Sequence, residues 1–444
     1  MTNKMAEKDN TMEKIVSLCK RRGFIFQSSE IYGGVGGVYD YGPLGVELKN
    51  NIKQYWWKKF VSDREDMIGL DSGIIMNPKV WEASGHVGGF SDPLVECKAC
   101  NKRFRADQIK GDKCPGCGGE LTEAKDFNLM LKTYLGPAEN TATQTYMRPE
   151  TAQGIFVNFK NIVESSRIKV PFGVGQIGKA FRNEITPGNF TYRTREFEQG
   201  EIEYFIKPDK AESEKQYKYW IGEVKAFYSE IGIKESSLTL REHEKDELSH
   251  YSNGTTDIEF DFPFGTSELA GIAQRTDFDL SQHQQFSGKS MEYFDEESGK
   301  KFLPFVVEPS MGIDRATLAV LCDAFDESDG TDGREKGEIT LHLKPRIAPI
   351  KAAILPLVKK DGLAEKAKEV YSATKSCFPA YYDESGSIGR RYRRQDEIGT
   401  PFCITVDYDS LKDSAVTIRE RDSMKQERIK IAEINNYLFE KING

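Results

Sequence analysis

The stretch from Gly178 to Phe205 constrains the fold of this chain more than any other. It consists of two alternating apolar runs on either side of a polar turn that contains Pro187, Gly188 and Asn189. Alternation interrupted by such a turn predicts two antiparallel strands joined by a long loop. The predicted hairpin also carries many charged side chains, namely Arg182, Glu184, Arg193, Arg195, Glu196, Glu198, Glu201 and Glu203. A solvated hairpin can carry mixed charges, so this composition alone leaves a purely structural role open.

The order of side chains around the turn favours a nucleotide site. Arg182 and Glu184 precede the loop, and Arg193 and Phe197 follow it. A guanidinium group matches phosphate oxygens with paired hydrogen bonds, and an aromatic face can stack on a purine. These groups can bind a nucleoside triphosphate without a glycine-rich phosphate loop. The glycine-rich residues 33–43 do not supply such a loop, because no strong strand precedes them and no lysine follows them, so we predict a structural turn there.

Length and composition limit the remaining possibilities. A chain of 444 residues can hold two or three domains. No apolar run approaches the ~18 residues of a membrane span, and the first residues lack an apolar signal core, so a cytosolic protein is expected. The net charge of −8 gives no general support for nucleic-acid binding. Residues 346–444, however, carry 18 Lys and Arg against 15 Asp and Glu, which suits a protein that grips RNA at one end.

Four of the eight cysteines form two pairs with the spacing of metal ligands. Cys97 and Cys100 are separated by thirteen residues from Cys114 and Cys117. Two such turns can bring four thiolates to one point, as tetrahedral zinc requires. A thioredoxin-like redox site has a single pair at the start of a helix, so structural zinc is favoured. A closed four-cysteine site leaves no open coordination position, so we assign the metal no catalytic role.

Two further helices are predicted, one before the hairpin in the sequence and one after it. Residues 44–60 have apolar side chains at helical spacing, which indicates a helix buried either in a core or in a dimer interface. The apolar strand at residues 302–307 leads through a Glu-Pro-Ser junction into a helix at residues 312–325. Arg315 lies in the first turn of that helix, where free backbone N–H groups and a guanidinium can bind an anion together.

The remaining segments predict a peripheral insertion and a second domain. Residues 207–256 mix charged and aromatic side chains and are predicted to be helical. From His342 onward strand and helix patterns alternate, which predicts an α/β domain of about 100 residues that ends in a helix at residues 426–439. Within it, residues 389–395 combine four arginines with a tyrosine. Such a stretch suits unstacked RNA bases and phosphates, and a solvated helix face is the alternative.

Taken in order, these segments resemble the dimeric (α2-type) glycyl-tRNA synthetases of the class II aminoacyl-tRNA synthetases. The resemblance is carried by RPETAQG, FRNE, TREFEQGEIEY, EPSMGIDR and IGRRYRRQDEIGTPF, and it covers essentially the whole chain. It implies an α+β fold in which an antiparallel sheet is flanked by helices. The implied catalytic domain is residues 1–343, with a zinc-ribbon insertion at about 92–122 and a helical insertion at about 207–256. Residues 344–444 are implied to be an α/β anticodon-binding domain.

The resemblance also implies a chemistry and a set of site residues. Glycine would be activated with ATP and transferred to tRNA(Gly) by a cytoplasmic homodimer that binds neither DNA nor a membrane. Neither step needs a covalent enzyme intermediate, so catalysis should come from positioning and charge neutralisation. The implied catalytic residues are Arg182, Glu184 and Arg315. The implied ATP-binding residues, with Mg²⁺ near Glu268, are Arg182, Asn183, Glu184, Tyr192, Arg193, Thr194, Arg195, Glu196, Phe197, Glu268, Leu269, Gly312, Ile313, Asp314 and Arg315. The implied glycine-binding residues are Arg105, Glu150, Phe197, Glu198, Gln199, Gly200, Glu201, Glu308, Pro309, Ser310, Met311 and Gly312.

Two alternatives remain at this point. Another synthetase of the same subclass, for serine, threonine, proline or histidine, would share the motifs, although the Glu-Pro-Ser junction and the RPETAQG segment favour glycine. A catalytically inactive homologue that binds nucleic acid should have lost the arginines of the nucleotide site. Arg182 and Arg315 are both present, which argues against that class of protein.

Overall fold

The computed structural model describes residues 2–244, 248, 252–331 and 333–443. The helices are α1 (Thr2–Arg22), α2 (Pro43–Trp57), α3 (Pro78–Ala83), α4 (His86–Gly89), α5 (Ala152–Ser166), α6 (Lys210–Glu230), α7 (Phe278–Ser287), α8 (Ile313–Ala324), α9 (Leu363–Lys375), α10 (Ile388–Glu397), α11 (Ser410–Asp413) and α12 (Ile434–Asn443). The strands are β1 (Ile25–Gln27), β2 (Tyr39–Tyr41), β3 (Met67–Gly69), β4 (Ser91–Glu96), β5 (Arg103–Arg105), β6 (Lys125–Asn128), β7 (Lys132–Tyr134), β8 (Gln144–Tyr146), β9 (Phe172–Phe181), β10 (Glu196–Ile206), β11 (Leu238–Glu242), β12 (Thr255–Phe262), β13 (Gly265–Thr276), β14 (Tyr293–Asp295), β15 (Lys300–Phe302), β16 (Phe305–Gly312), β17 (Phe325–Glu327), β18 (Ile339–Leu341), β19 (Ala352–Pro356), β20 (Ala380–Tyr382), β21 (Phe402–Val406), β22 (Ala415–Glu420) and β23 (Gln426–Lys430).

The main sheet has seven strands in the order β11-β12-β13-β16-β10-β9-β3. Neighbouring strands are antiparallel, except that β3 runs parallel to β9. The predicted hairpin is confirmed, because β9 and β10 pair without interruption from Phe172 opposite Phe205 to Phe181 opposite Glu196. The α+β class with an antiparallel sheet and flanking helices is therefore confirmed.

The two faces of the main sheet are covered by different helices. Ile202 and Tyr204 of β10 face a core shared with α1, α2, α6 and α8. Phe205 faces a second core, which is built with α5 and α7. Successive side chains of a strand point to opposite faces. The odd-numbered residues from Phe197 to Phe205 therefore share the α5 face, and the even-numbered residues share the face that carries α2 and α8.

The helix predicted for residues 44–60 is α2, and it lies close against the sheet. Trp56 of α2 is fully buried and packs over Gly200 of β10. A Cβ atom at residue 200 would lie 2.9 Å from the Trp56 indole, which is closer than carbon atoms normally approach. Glycine at this position therefore permits the close contact between α2 and β10.

The region of residues 207–256 is only partly helical, which corrects the prediction for this insertion. Its helix, α6, ends at Glu230, and Leu238–Glu242 forms β11, an edge strand of the main sheet. The sequence LTLREHE alternates in the manner of a half-exposed strand, but its charged residues resemble those of the preceding helix. Charged side chains are common on edge strands because they discourage pairing with other chains.

The C-terminal segment forms an α/β unit with its own core. Its five strands have the order β20-β19-β21-β22-β23, with parallel pairing from β20 to β21 and antiparallel pairing beyond. The helix predicted at residues 426–439 is corrected, because Gln426–Lys430 is strand β23 and the last helix, α12, starts at Ile434. Among the described residues, no helix is both long and apolar enough to cross a membrane.

The arginines of residues 389–395 lie on α10, and most of them hold this unit together. Arg391 is buried and donates to the carbonyl oxygens of Pro356 and Leu357. Arg394 pairs with Asp383. Arg393 pairs with acids outside the unit, Glu335 and Glu338. Among the described residues only Arg390 of this group lacks a polar partner, so α10 is not the solvated helix face of the alternative. RNA binding by this stretch stays a prediction.

Candidate active site

A cleft of about 390 Å³ forms where β10, β13 and β16 meet the β9–β10 loop and the start of α8. Most of the residues predicted for ATP and glycine line it, namely Glu150, Arg182, Glu184, Tyr192, Arg193, Thr194, Phe197, Glu198, Gln199, Glu201, Glu268, Glu308, Ser310, Gly312, Asp314 and Arg315. The lining residues that were not predicted are Thr191, Arg241, His243, Thr255, Asp257, Gly271 and Ala273. The fold thus brings distant motifs of the sequence to one place.

Arg182 is held between two aromatic rings at one side of the cleft. Its guanidinium carbon lies 5.2 Å from the ring centre of Phe197 and 5.2 Å from that of Phe90. Its Nε donates to the carbonyl oxygen of Pro149 at 3.0 Å. The terminal nitrogens make no hydrogen bond to any described residue. Arg182 is therefore oriented by stacking, and its outer edge can bind an anion.

The opposite side of the cleft is formed by Arg315 and Tyr192. The Arg315 guanidinium lies 4.4 Å from the ring centre of Tyr192, and its Nη1 is 3.2 Å from Oε2 of Glu268. The positive charge of Arg315 holds the pKa of Glu268 below its usual range, against the effect of burial. Arg193 lies near Glu184, with Nη1 3.9 Å from Oε2, which is too far for a hydrogen bond. This end of the cleft is rich in guanidinium groups.

Three carboxyl groups define the inner end of the cleft. Glu201 is 2 % exposed and accepts a hydrogen bond from the hydroxyl of Thr151. Glu308 accepts from Nη1 of Arg275. Glu150 accepts from Nε2 of Gln153 at 3.0 Å, and its other oxygen lies 3.3 Å from Nε2 of His86. Burial and the neighbouring carboxylates raise the pKa of Glu201 and bring that of Glu308 to about 8.

A buried chain of hydrogen bonds supports these carboxyl groups from behind. Arg275 binds Asp279 through Nε at 2.8 Å and Nη2 at 2.9 Å. Asp279 accepts from Gln153 at 2.9 Å, and the Gln153 oxygen lies 2.8 Å from Nε2 of His283. The sequence did not assign these four residues to the site. Two sequence features could have indicated these residues. Gln153 stands in the RPETAQG segment, and Arg275 and Asp279 are four residues apart at the junction of β13 and α7.

Glu203 is a further acid at the inner end that the sequence did not assign. It is fully buried, and among the described residues neither of its oxygens has a hydrogen-bond partner. Its carboxyl oxygen lies within 4.8 Å of those of Glu201 and Glu308. Burial, followed by the charge of Glu308, raises the pKa of Glu203 well above its usual value. The site therefore favours a neutral Glu203.

Several predicted residues do not line the cleft. Arg105 pairs with Asp92 and Asp107 on the four-cysteine insertion. Arg195 donates to backbone oxygens of Gly36 and Glu184. Asn183 binds Leu129 through its backbone, and Glu196 pairs with Lys179. The other predicted residues are buried beside the cleft, namely Gly200, Leu269, Pro309, Met311 and Ile313.

Two residues line the cleft but use their carboxylates elsewhere. Glu198 pairs with Lys49 and Lys53, and Asp314 pairs with Lys49. Both lysines belong to α2, on the even-numbered face of β10. Direct contact between these two carboxylates and a substrate, as the sequence suggested, would require those pairs to break.

The four cysteines of the predicted zinc site come together at the tip of the insertion formed by β4, β5 and β6. The Sγ atoms of Cys97, Cys100, Cys114 and Cys117 all lie within 4.8 Å of one another. The sulfurs of Cys97 and Cys117 are 3.5 Å apart, and those of Cys100 and Cys114 are 3.8 Å apart. Tetrahedral zinc with Zn–S bonds of about 2.3 Å places its sulfurs about 3.8 Å apart. The residues therefore fit a zinc ion.

Comparison with known proteins agrees with the geometry. Residues 134–325 match a family model described as "tRNA synthetase class II core domain (G, H, P, S and T)", and residues 351–441 match one described as "Anticodon binding domain". The chain is 55 % identical to a glycine–tRNA ligase of Clostridium acetobutylicum, over 98 % of this chain and 99 % of the relative. It is 54 % identical to one of Alkaliphilus oremlandii, over 98 % and 99 %, and 52 % identical to one of Geobacillus kaustophilus, over 97 % and 99 %.

An antiparallel sheet that carries a nucleotide-type cleft, followed by an anticodon-binding unit, defines the chain as a class II aminoacyl-tRNA synthetase. Identity above 50 % to several relatives, over nearly the full length of both chains, narrows this assignment. The chain belongs to the glycine–tRNA ligase family. The class II synthetase class and the glycine–tRNA ligase family predicted from the sequence are thus confirmed, and the dimeric α2 type stays a prediction.

Proposed function

We propose that this protein activates glycine with ATP and transfers the glycyl group to the 3′ end of tRNA(Gly). In the first step a carboxylate oxygen of glycine attacks the α-phosphorus of ATP, and pyrophosphate leaves. In the second step the terminal adenosine hydroxyl of the tRNA attacks the carbonyl carbon of glycyl-adenylate, and AMP leaves. The observation that carries this proposal is the adjacency of a guanidinium-rich cleft and a buried cluster of three carboxyl groups.

The guanidinium-rich end suits ATP. Arg182 is already fixed by two aromatic rings. Its guanidinium would bind both the α-phosphate and the glycine carboxylate while negative charge moves from the attacking carboxylate to the phosphate. Phe197 would stack on adenine, with Glu184 close to its amino group. Arg193 and Arg315 would neutralise the outer phosphates, in the role that fixed cations play when charge develops on phosphoryl oxygens. We therefore propose catalytic roles for Arg182, Glu184 and Arg315.

The acidic end suits a glycine ammonium group. Glu150, Glu201 and Glu308, together with Ser310, would surround it. A substrate without a side chain offers only its ammonium and carboxylate to hold, so discrimination must come from excluding larger amino acids. A pocket walled by these carboxyl groups would hold glycine and exclude a larger amino acid by steric clash with its side chain.

We propose two metals for this protein. Mg²⁺ bound with ATP would neutralise the phosphates, and Glu268 is the acid in the cleft that could hold it. Zinc bound by the four cysteines would hold the insertion together without taking part in the reaction, because four thiolates leave no open position.

We also propose a homodimer in the cytoplasm, where ATP and tRNA are available. The loop between β1 and β2 exposes large apolar side chains, with Ile31 and Tyr32 both 87 % exposed. Val46 on the neighbouring α2 is also exposed. Contiguous exposed apolar groups on a protein surface are typical of an interaction site, and a second copy of the chain would cover them. We place the boundary between the catalytic and anticodon-binding domains near residues 343 and 344.

The decisive experiment is ATP–pyrophosphate exchange with each standard amino acid in the absence of tRNA. Exchange with glycine alone is expected. Exchange with serine or another amino acid would contradict the acidic glycine pocket while leaving the class of enzyme intact. A lack of exchange with every amino acid, in folded and zinc-loaded protein, would contradict the proposed activity.

A further inference from the structure

Lys49 of α2 forms a buried ion-pair network beneath the cleft. Its side chain is only 12 % exposed, and its Nζ lies 2.6 Å from Oδ1 of Asp314 and 3.1 Å from Oε2 of Glu198. The hydroxyl of Tyr41 also donates to Oδ1 of Asp314. The backbone N–H of Glu198 donates to the other Asp314 oxygen at 2.6 Å. No sequence motif marks Lys49, because the only pattern that predicts α2 is the helical spacing of its apolar side chains.

The two acids that Lys49 binds adjoin the two opposite walls of the cleft. Glu198 directly follows Phe197 on β10, and Asp314 directly precedes Arg315 on α8. Side chains alternate along a strand, so Glu198 faces α2 while Phe197 faces the cleft. Lys49 therefore joins the backbone that carries one wall to the backbone that carries the other, without touching the cleft contents itself.

The chemistry of the network makes Lys49 hard to replace. Burial by itself would lower the pKa of Lys49, but the charges of Asp314 and Glu198 outweigh this effect and raise the pKa. Lys49 is therefore charged. Without it, Asp314 would lose its lysine partner, while Glu198 would keep Lys53. The two neighbouring carboxylates would then repel each other, because removing one partner of a buried ion pair leaves an uncompensated charge. We expect the start of β10, at Phe197 and Glu198, to shift away from α8, because β10 pairs with β16 only from Gln199 onward. This shift would change the width of the cleft between Phe197 and Arg315.

We propose that Lys49 is a positioning residue for ATP, which sets the spacing between Phe197 and Arg315 through Glu198 and Asp314. This inference rests on the proposed function, in which those two walls enclose ATP. The glycine end should be independent of Lys49. Its supports are Arg275, Asp279 and Gln153, which belong to β13, α7 and α5 and bind one another.

The test compares Lys49→Met with Lys53→Met in the full-length protein. Lys53 is the matched control, because it lies one turn further along α2 and pairs with Glu198 at 2.6 Å but has no contact with Asp314. For Lys49→Met we expect the KM for ATP in glycine-dependent exchange to rise at least about tenfold, since small misplacements of binding groups have effects of this size or larger. The KM for glycine should change less than about twofold, and Lys49→Arg should restore much of the ATP affinity.

Direct titration of ATP by calorimetry keeps this inference separate from the proposed function. If the wild-type protein binds ATP but does not exchange with glycine, the proposed function fails while Lys49→Met still tests the network. If Lys49→Met does not fold, Lys49→Met combined with Glu198→Gln removes the carboxylate that would repel Asp314 and is judged by the same criteria. Three results would overturn the proposal: unchanged ATP binding in a folded variant, equal losses for ATP and glycine, or equal losses in Lys53→Met. A double variant that also fails to fold would assign Lys49 to stability alone and would overturn it too.

Discussion

Arg275 meets Asp279 through two parallel hydrogen bonds, Nε to Oδ2 at 2.8 Å and Nη2 to Oδ1 at 2.9 Å. Its remaining terminal nitrogen donates to Glu308. One buried guanidinium thus connects the start of α7 to the acid that we place beside the glycine ammonium. Arg275 acts through Glu308, which makes it a positioning residue for the inner end of the cleft.

Replacing Arg275 with lysine tests this arrangement. Lysine keeps the charge but cannot form the forked pair with Asp279 and reach Glu308 at the same time. We expect the kcat/KM for glycine in pyrophosphate exchange to fall at least about tenfold, in line with the loss of hydrogen bonds between buried charged groups. ATP binding, measured by calorimetry, should remain within about twofold of wild type. Equal losses for both substrates would contradict a role restricted to glycine.

Glu308 should govern the pH dependence of glycine activation. Burial raises its pKa to about 8, despite the opposing charge of Arg275. The group is therefore protonated below that pH, and it gains the negative charge that attracts an ammonium as the pH rises. We expect the kcat/KM for glycine to increase between pH 6 and about 8. Glu308→Gln should lose this increase, and Glu308→Ala should lose glycine activation while it still binds ATP. Unchanged glycine kinetics in Glu308→Ala would refute the assignment.

Glu203 should make the folded protein less stable at high pH. Its pKa in the folded state lies well above the usual value, so folding favours the protonated form. The stability contributed by that proton is complete at low pH and is lost as the pH rises toward the folded-state pKa. Glu203→Gln keeps the shape and stays neutral. We expect its melting temperature to match wild type at acidic pH and to exceed it at alkaline pH. A variant that melts lower than wild type at every pH would show that Glu203 is needed as an anion.

The sequence predicted the parts of the site that form continuous motifs, and it missed the parts that depend on packing. The hairpin was predicted from its alternation and its turn, and Arg182, Phe197 and Arg315 each stand in a short continuous motif. The pairing of Lys49 with Asp314 joins residues that are far apart in the sequence, and no local pattern specifies such a contact. Arg275 and Asp279 are only four residues apart, but this spacing alone does not assign them to the site. Glu198 shows a related limit, because it lines the cleft while its carboxylate pairs with Lys49 and Lys53. The motif marks the residue, but only the strand geometry shows that its side chain faces α2.

The difference between local pattern and packing also explains an error in secondary structure. Gln426–Lys430 carries mostly charged side chains and was read as part of a helix, yet it pairs with β22 as an edge strand. Edge strands have one exposed side and tolerate polar residues on both faces, so their alternation is weak. The pairing partner decides the conformation of such a segment, and the partner lies elsewhere in the sequence.

The zinc prediction can be tested by metal content and proteolysis. We expect one zinc per chain by elemental mass spectrometry, because the four sulfurs form a closed set of ligands. Cys114→Ser should lose the metal and expose residues 91–128 to protease, since β4, β5 and β6 enclose little apolar core of their own. Cys403→Ser serves as the control, because Cys403 is buried far along the chain in the C-terminal unit. A metal-free wild type with the same protease resistance would contradict a structural zinc.

Glu397 should couple the two domains during tRNA charging. It lies on α10 and binds both Arg21 and Arg22 of α1, and these arginines lower its pKa against the effect of burial. We expect Glu397→Gln to reduce the rate of glycyl-tRNA formation, because that reaction needs both domains to hold one RNA. Pyrophosphate exchange needs no RNA and should stay within about twofold of wild type. Glu433→Gln, on the surface of the same unit, is the control. A matching loss in exchange would place the effect in the catalytic domain instead.

The contact between Gly200 and Trp56 makes the cleft sensitive to packing between α2 and the sheet. A side chain at residue 200 would meet the indole ring and push α2 off the sheet, and Lys49 would move with the helix. The two walls of the cleft would then lose their common anchor. The contact between Trp56 and Gly200 thus limits how far the two walls of the cleft can move apart. A substitution at residue 200 would be detected in an assay as weak affinity for ATP, although its cause is a packing defect.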